Sequence, residues 1–105
     1  MEFIETAVFT EEIRSLLTEE EYRALQLALV LRPEQGKIIP GSGGLRKIRW
    51  KAKGKGKRSG VRVIYYWITE EATIYMLMLY GKSDQANLTS AQARILSKLV
   101  KEELG

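Results

Sequence analysis

Val61–Ile68 is β-branched or aromatic almost throughout, and after the Glu70-Glu71 turn the chain enters a second continuous apolar run, Thr73–Tyr80. A strand with one wet face alternates apolar and polar residues, whereas a strand covered on both faces has no reason to do so. The first run therefore reads as a central strand with structure packed on each side, and the second as its neighbour. Upstream, from Arg46, the pattern is strictly two-fold: Lys47, Arg49, Lys51 and Lys53 point one way while Ile48, Trp50 and Ala52 point the other. That strand has one cationic face and one apolar face. Gly54-Lys55-Gly56-Lys57-Arg58-Ser59-Gly60 joins it to the central strand, most simply as the tip of a hairpin.

The flanks read as helices around this sheet. Residues 2–8 suggest a short strand. Thr10, followed by Glu11 and Glu12, predicts the N-cap of a short helix through Leu17. Thr18-Glu19-Glu20-Glu21 is a capping box, and the helix it opens aligns Tyr22, Leu25, Ala28 and Leu29 before Pro33 stops it. Pro40 and four glycines make 36–44 a loop. Thr89-Ser90-Ala91-Gln92 is a second capping box, with Ile95, Leu96, Leu99 and Val100 at helical spacing behind it. The expected architecture is one α+β domain over 1–105: a short N-terminal strand, two helices, an antiparallel meander and a C-terminal helix.

Charge is as uneven as hydropathy. Ten of the 17 basic residues fall between Gln35 and Thr69, a stretch of 35 residues without an acid. Residues 1–34 hold three cations against eight acids, and residues 70–105 four against five. The net +4 thus hides a +10 block between acidic flanks. Four like charges on one strand face repel, so solubility alone is a poor explanation of them. A groove that tracks the phosphates of a nucleic acid accounts for them better. Arg62 is the sharpest single residue, because its same-face neighbours are Ile64 and Tyr66 and an unpaired buried guanidinium is costly. Either it meets an acid from the helices, or it lines a cleft for an anionic ligand. The strand aromatics are mostly core, with one or two available for base stacking.

The absences narrow the chemistry. The chain has no Cys and no His. That removes disulfides, thiolate and imidazole metal ligands, and the usual neutral-pH acid–base group. No cofactor is expected and no metal site. No apolar run reaches membrane-helix length and the N-terminus lacks a basic signal region, so a cytoplasmic location is expected.

The runs GGLRKIR, GKGKRSGVRVIYY and LYGKSD resemble the RelE/HigB family of bacterial toxins, and specifically its HigB-like branch with a long glycine–lysine loop. The resemblance spans essentially the whole chain. It implies the RelE-like (microbial-RNase-like) fold and a ribosome-dependent, metal-independent mRNA endoribonuclease, in which an mRNA 2′-OH attacks the adjacent phosphate. It also implies a cognate antitoxin, mRNA in the ribosomal A site and the small ribosomal subunit as partners, and no membrane. Carried onto this chain, it makes Arg62, Lys82, Arg49 and Lys55 the catalytic candidates. Lys47, Lys51, Lys53, Lys57 and Arg58 are the RNA-binding ones. Lys47 and Arg49 fall near the family's strand lysines, with Lys53, Lys55 and Lys57 as competing matches. The chain departs from RelE at Ser83, where the family has an arginine, and at Thr89, where it has a stacking tyrosine. A non-catalytic RNA- or DNA-binding module, or an inactive relative acting as a partner-binding regulator, would use the same basic block.

Overall fold

The structure is a computed structural model and describes residues 1–52 and 57–104, the side chains of 57–59 and 104 excepted. Lys53 and residues 54–56 of the glycine–lysine connector, Lys55 among them, therefore lie outside the described residues, while the rest of the connector belongs to β4. In chain order the elements are β1 (Glu2–Glu5), α1 (Ala7–Leu16), α2 (Glu19–Leu31), β2 (Lys37–Ile38), β3 (Arg46–Ala52), β4 (Lys57–Ile68), a single 3₁₀ turn (Thr69–Glu71), β5 (Thr73–Gly81) and α3 (Ser90–Leu104). The strands form one sheet in the order β1-β5-β4-β3-β2. β2 to β5 are antiparallel neighbours, and β1 adds to β5 in parallel. This is the expected α+β architecture, extended by a two-residue edge strand inside the glycine-rich loop.

Helices cover both faces of the sheet. On the first face Phe9, Leu16 and Leu17 from the α1 region and Leu25 and Leu29 from α2 pack on Ile48, Val61, Val63, Tyr65, Ile74, Met76 and Leu79. On the second, Leu96 and Val100 of α3 pack on Leu45, Ile64, Tyr75, Leu77 and Tyr80. β4 sits between these layers, and Val61, Val63, Ile64 and Tyr65 are completely buried. The apolar pattern of Val61–Ile68, interrupted by Arg62, has that cause. Ile95, expected on the packed face of α3, is instead 66% exposed. The inward stripe runs through Leu96, Leu99 and Val100 and leaves Ile95 one position outside it.

Both capping boxes form. Thr18 Oγ1 accepts from Glu21 N while Glu21 Oε1 accepts from Thr18 N, and Thr89 and Gln92 repeat the exchange ahead of α3. The start of α1 differs from expectation. Its cap is Thr6, whose Oγ1 accepts from Phe9 N and donates to Leu77 O at 2.7 Å. The strand before it correspondingly ends at Glu5, not at residue 8. Thr6 wins because its hydroxyl serves helix and sheet together, a long-range contact with no local signature. Thr10 lies within the first turns, and its hydroxyl donates to Glu5 Oε1 at 2.7 Å. The other oxygen of that carboxylate accepts from Tyr22 Oη at 2.5 Å, which ties β1, α1 and α2 together.

Tyr65 performs the equivalent task on β4. Its hydroxyl donates to Pro33 O at 2.7 Å and accepts from Gly36 N at 2.9 Å, anchoring the exit of α2 to the central strand. Gly36 has no alternative there, since a Cβ would fall 2.7 Å from the tyrosine ring. Removing this hydroxyl leaves a buried amide and a carbonyl unmatched, so Tyr65→Phe is expected to lower stability by about 1–3 kcal/mol in urea unfolding.

Burial, as the main cause, pushes the phenols of Tyr22, Tyr65, Tyr75 and Tyr80 above their ordinary value, and at Tyr22 the Glu5 carboxylate adds to the shift. The folded state therefore holds these protons after the unfolded chain has released them near pH ~10. Their stabilising contribution is complete below that pH and is lost as pH rises beyond it. Urea midpoints measured from pH 8 to 11 should fall on the alkaline side, and Tyr22→Phe should make that decline shallower.

Candidate functional site

Cross-strand register assembles the site on the sheet face that α3 partly covers. Arg49 of β3 stands opposite Arg62 of β4, and Arg62 in turn stands opposite Tyr80 of β5. One row across three strands thus carries two guanidiniums and a phenol. In the next row Lys47 faces Ile64. Ile48, Trp50 and Ala52 pack into the first-face core, so the intervening Lys47, Arg49 and Lys51 project from the second face, as the alternation predicted. Arg49 and Lys51 are exposed and Lys47 half-buried, with its Nζ 3.5 Å from Asn87 Oδ1.

Arg62 is 6% exposed. Among the described residues its hydrogen bond is a long one, Nη1 to the adjacent Val61 carbonyl at 3.5 Å, beyond the usual range for an N–H donor. Among the described residues the ion pair formed is Arg32–Glu34, far along the chain and exposed, and no carboxylate meets Arg62. Of the two solutions open at sequence level, the carboxylate partner is absent. A buried guanidinium is thus held beside a second arginine, where like charges facing each other across strands repel.

Two irregularities shape this row. Between Ile64 and Tyr65 the β4–β5 register shifts, so that Ile64 faces Met78 while Tyr65 faces Met76 and Leu77 is the extra residue. Beyond that bulge the alternation of β5 inverts. Before it Ile74 and Met76 face the first core, and after it Leu79 does. Tyr80 consequently joins the second face with Arg62. The other shift lies between Trp50 and Ala52, opposite the start of β4. Gly60 adopts φ +75° there, and a Cβ would approach the Trp50 carbonyl oxygen to 2.5 Å. Gly60 O also accepts from Lys82 N at 3.3 Å, which holds the exposed Lys82 next to the end of the Arg62 strand.

Arg62, Arg49, Lys47 and Lys51 therefore gather on one side of the sheet, and Lys82 sits at the strand's end beside Gly60. Lys57 and Arg58 belong to the backbone of β4, with side chains outside the described residues, as are Lys53 and Lys55 altogether. Arg46, part of the same basic block, is committed elsewhere: its Nη1 donates to Glu34 O and Gly36 O, both at 2.8 Å, closing the exit of α2. The other strand aromatics are framework: Trp50 and Trp67 lean on the first core, and Trp50 Nε1 donates to Glu21 O at 3.2 Å. Among the described residues no group of three or more carboxylate, His or Cys side chains is placed to hold a metal.

Sequence reading passed over a second basic feature. A groove of about 610 Å³ runs between Pro40-Gly41 and α3, lined by Arg94, Lys98 and Lys101. Ser97 Oγ donates to Ser42 O at 2.5 Å and pins the loop to the helix beside it. The signal was the spacing of these cations along one helical stripe, hidden among mixed charges at the chain's end.

Residues 6–105 match the family described as the RelE toxin of the RelE/RelB toxin–antitoxin system. Among solved structures, the chain is similar to the intact E. coli RelBE toxin–antitoxin complex at 20% identity, with a TM-score of 0.57 over 74% of this chain and 92% of that one. It is also similar to an arginine-substituted mutant of E. coli toxin RelE in the free state, at 16% identity and a TM-score of 0.62 over 94% and 96% of the two chains. At such identities the structural likeness carries the fold, and the sequence match over nearly the whole chain carries the family. No helix among the described residues is long and apolar enough to cross a membrane. The protein belongs to the RelE toxin family of toxin–antitoxin systems.

Proposed function

We propose that this protein is a ribosome-dependent mRNA endoribonuclease of the HigB-like branch, active in the cytoplasm and neutralised by a cognate antitoxin. The observation that carries the reading is the uncompensated Arg62 guanidinium facing Arg49 on a cationic sheet surface. A site so arranged is incomplete without an anion, and the family match points to the phosphate of an RNA chain.

The reaction needs no group that this chain lacks. The 2′-oxygen of one nucleotide bonds to the adjacent phosphorus, its proton passes to a base, and the bond from phosphorus to the 5′-oxygen breaks. That leaving oxygen takes up a proton. A cyclic phosphate and a free 5′-hydroxyl result, with no water or metal as nucleophile. Negative charge on the non-bridging oxygens grows as the fifth bond forms. Arg62 sits in a low-dielectric setting where its donors act strongly on that charge, and Arg49 adds to the field. Lys82 and Lys55 are the remaining catalytic candidates: a lysine in its neutral amine form accepts the 2′-proton, and a protonated cationic side chain gives one to the leaving 5′-oxygen. Lys47, Lys51, Lys53, Lys57 and Arg58 bind the flanking phosphates as point charges, and an RNA in the ribosomal A site of the small subunit follows them.

Arg62→Met separates function from framework. If Arg62 serves an RNA phosphate, its replacement removes an unpaired buried charge, and thermal stability should hold or rise. Cleavage should meanwhile drop on the order of 10²–10³-fold. The measurement pairs unfolding midpoints with mapping of mRNA ends in a translating extract, where wild type creates new ends within codons. Wild-type expression that leaves growth and mRNA untouched would reject the enzyme reading. A salt-sensitive gel shift with intact RNA would then favour a binding module.

A further inference from the structure

Tyrosine hydroxyls in this fold differ in how they are satisfied. Tyr65 Oη meets Pro33 and Gly36, and Tyr22 Oη meets Glu5. Tyr80 is 4% exposed, and its Oη has no hydrogen-bond partner. A phenylalanine would fill the same apolar space without leaving a donor unmatched, so packing does not explain the hydroxyl. Its position does. Tyr80 pairs across the strands with Arg62, the buried cation of this sheet face, whose Nη1 makes one long hydrogen bond to the Val61 carbonyl among the described residues.

Building on the reading of Arg62 as the phosphate ligand, we propose that Tyr80 is its catalytic partner, its Oη donating a hydrogen bond to a non-bridging oxygen of the phosphate that Arg62 holds. Two donors from adjacent strands then converge on one anion, a charged fork and a neutral hydroxyl. The phenol has to keep its proton to do this. Burial raises the Tyr80 pKa, the nearby Arg62 charge opposing that shift only in part, so the group is neutral at pH 7. It differs in this respect from the lysines, which bring charge without a fixed direction. Tyr80 also lies at a depth where water competes weakly for the anion. Arg49, opposite Arg62, and Lys82, two residues past Tyr80, are exposed and can turn toward the same anion.

Tyr80→Phe removes one oxygen and keeps the ring. The test compares purified wild type, Tyr80→Phe and Arg62→Met by thermal unfolding, with and without inorganic phosphate, and by cleavage in a translating extract. Without phosphate, Tyr80→Phe should unfold at or above the wild-type temperature, since it loses no bond. Phosphate should raise the midpoint of wild type clearly and that of Tyr80→Phe less. Cleavage by Tyr80→Phe should fall on the order of 10²-fold, with Arg62→Met at least as impaired. Wild-type protein gives a readout without any variant: phosphate should red-shift tyrosine absorption as the phenol begins to donate, and an unchanged spectrum would overturn the proposal. So would equal phosphate stabilisation of wild type and Tyr80→Phe, or cleavage within two-fold. If wild type cuts no mRNA but the phosphate effects follow the pattern above, the ligand assignment stands and the endoribonuclease reading falls instead.

Discussion

A guanidinium held in the middle of a sheet, with no carboxylate against it among the described residues, is the constraint around which this molecule is organised. Arg62 lies on β4, the central strand, flanked by residues with no exposure at all. Such a charge would in isolation be expelled to water or matched by a carboxylate. It stays because the strand carrying it is fastened on both faces and along both edges. Val61 and Val63 are locked under α1 and α2, Ile64 under α3, and Tyr65 binds the α2 exit through two hydrogen bonds. The apolar burial of the same strand offsets the unfavourable electrostatics of one position. Stability is thus spent in one place so that binding energy is available there later.

The bulge at Leu77 is the second structural decision. Strand side chains repeat every two residues, so one inserted residue moves every later side chain to the opposite face. Without it Tyr80 would point toward α1 and α2, and the row opposite Arg62 would end in an aliphatic group. With it, Tyr80 arrives beside Arg62, and Lys82 follows at the strand's end. Gly60 makes the matching adjustment on the other side, its positive φ and missing Cβ letting β4 pass close to Trp50. Both irregularities bracket the same row.

This also explains what the sequence disclosed and what it withheld. The capping boxes at Thr18 and Thr89, the cationic alternation from Lys47 and the central character of Val61–Ile68 were readable because their causes are local. Thr6 was missed because its hydroxyl answers a carbonyl 71 residues away. The parallel partnership of β1 with β5 is equally non-local. The Leu77 bulge was invisible for a different reason: β5 is apolar on both faces, so inserting a residue leaves no break in the pattern. Tyr80 was consequently read as one aromatic among several. Arg62 was legible as an anomaly, but only coordinates could remove the helix acids as its partner.

The placement of those acids completes the physical picture. Eight of the 13 precede Gln35, on or around β1, α1 and α2; the two helices pack on the face opposite Arg62, and β1 forms a sheet edge. The sheet therefore stands between most of the protein's negative charge and its site. On the site's own face, α3 lays Arg94, Lys98 and Lys101 along its groove. Charge that is segregated along the sequence becomes charge segregated across a sheet some ~10 Å thick. Interactions over such a distance are largely screened where water intervenes, whereas a carboxylate in contact with Arg62 would act through the low-dielectric interior and neutralise it. Neither β3 nor β5, the strands beside Arg62, carries an Asp or Glu, and a guanidinium with no carboxylate against it is what an incoming phosphate can bind.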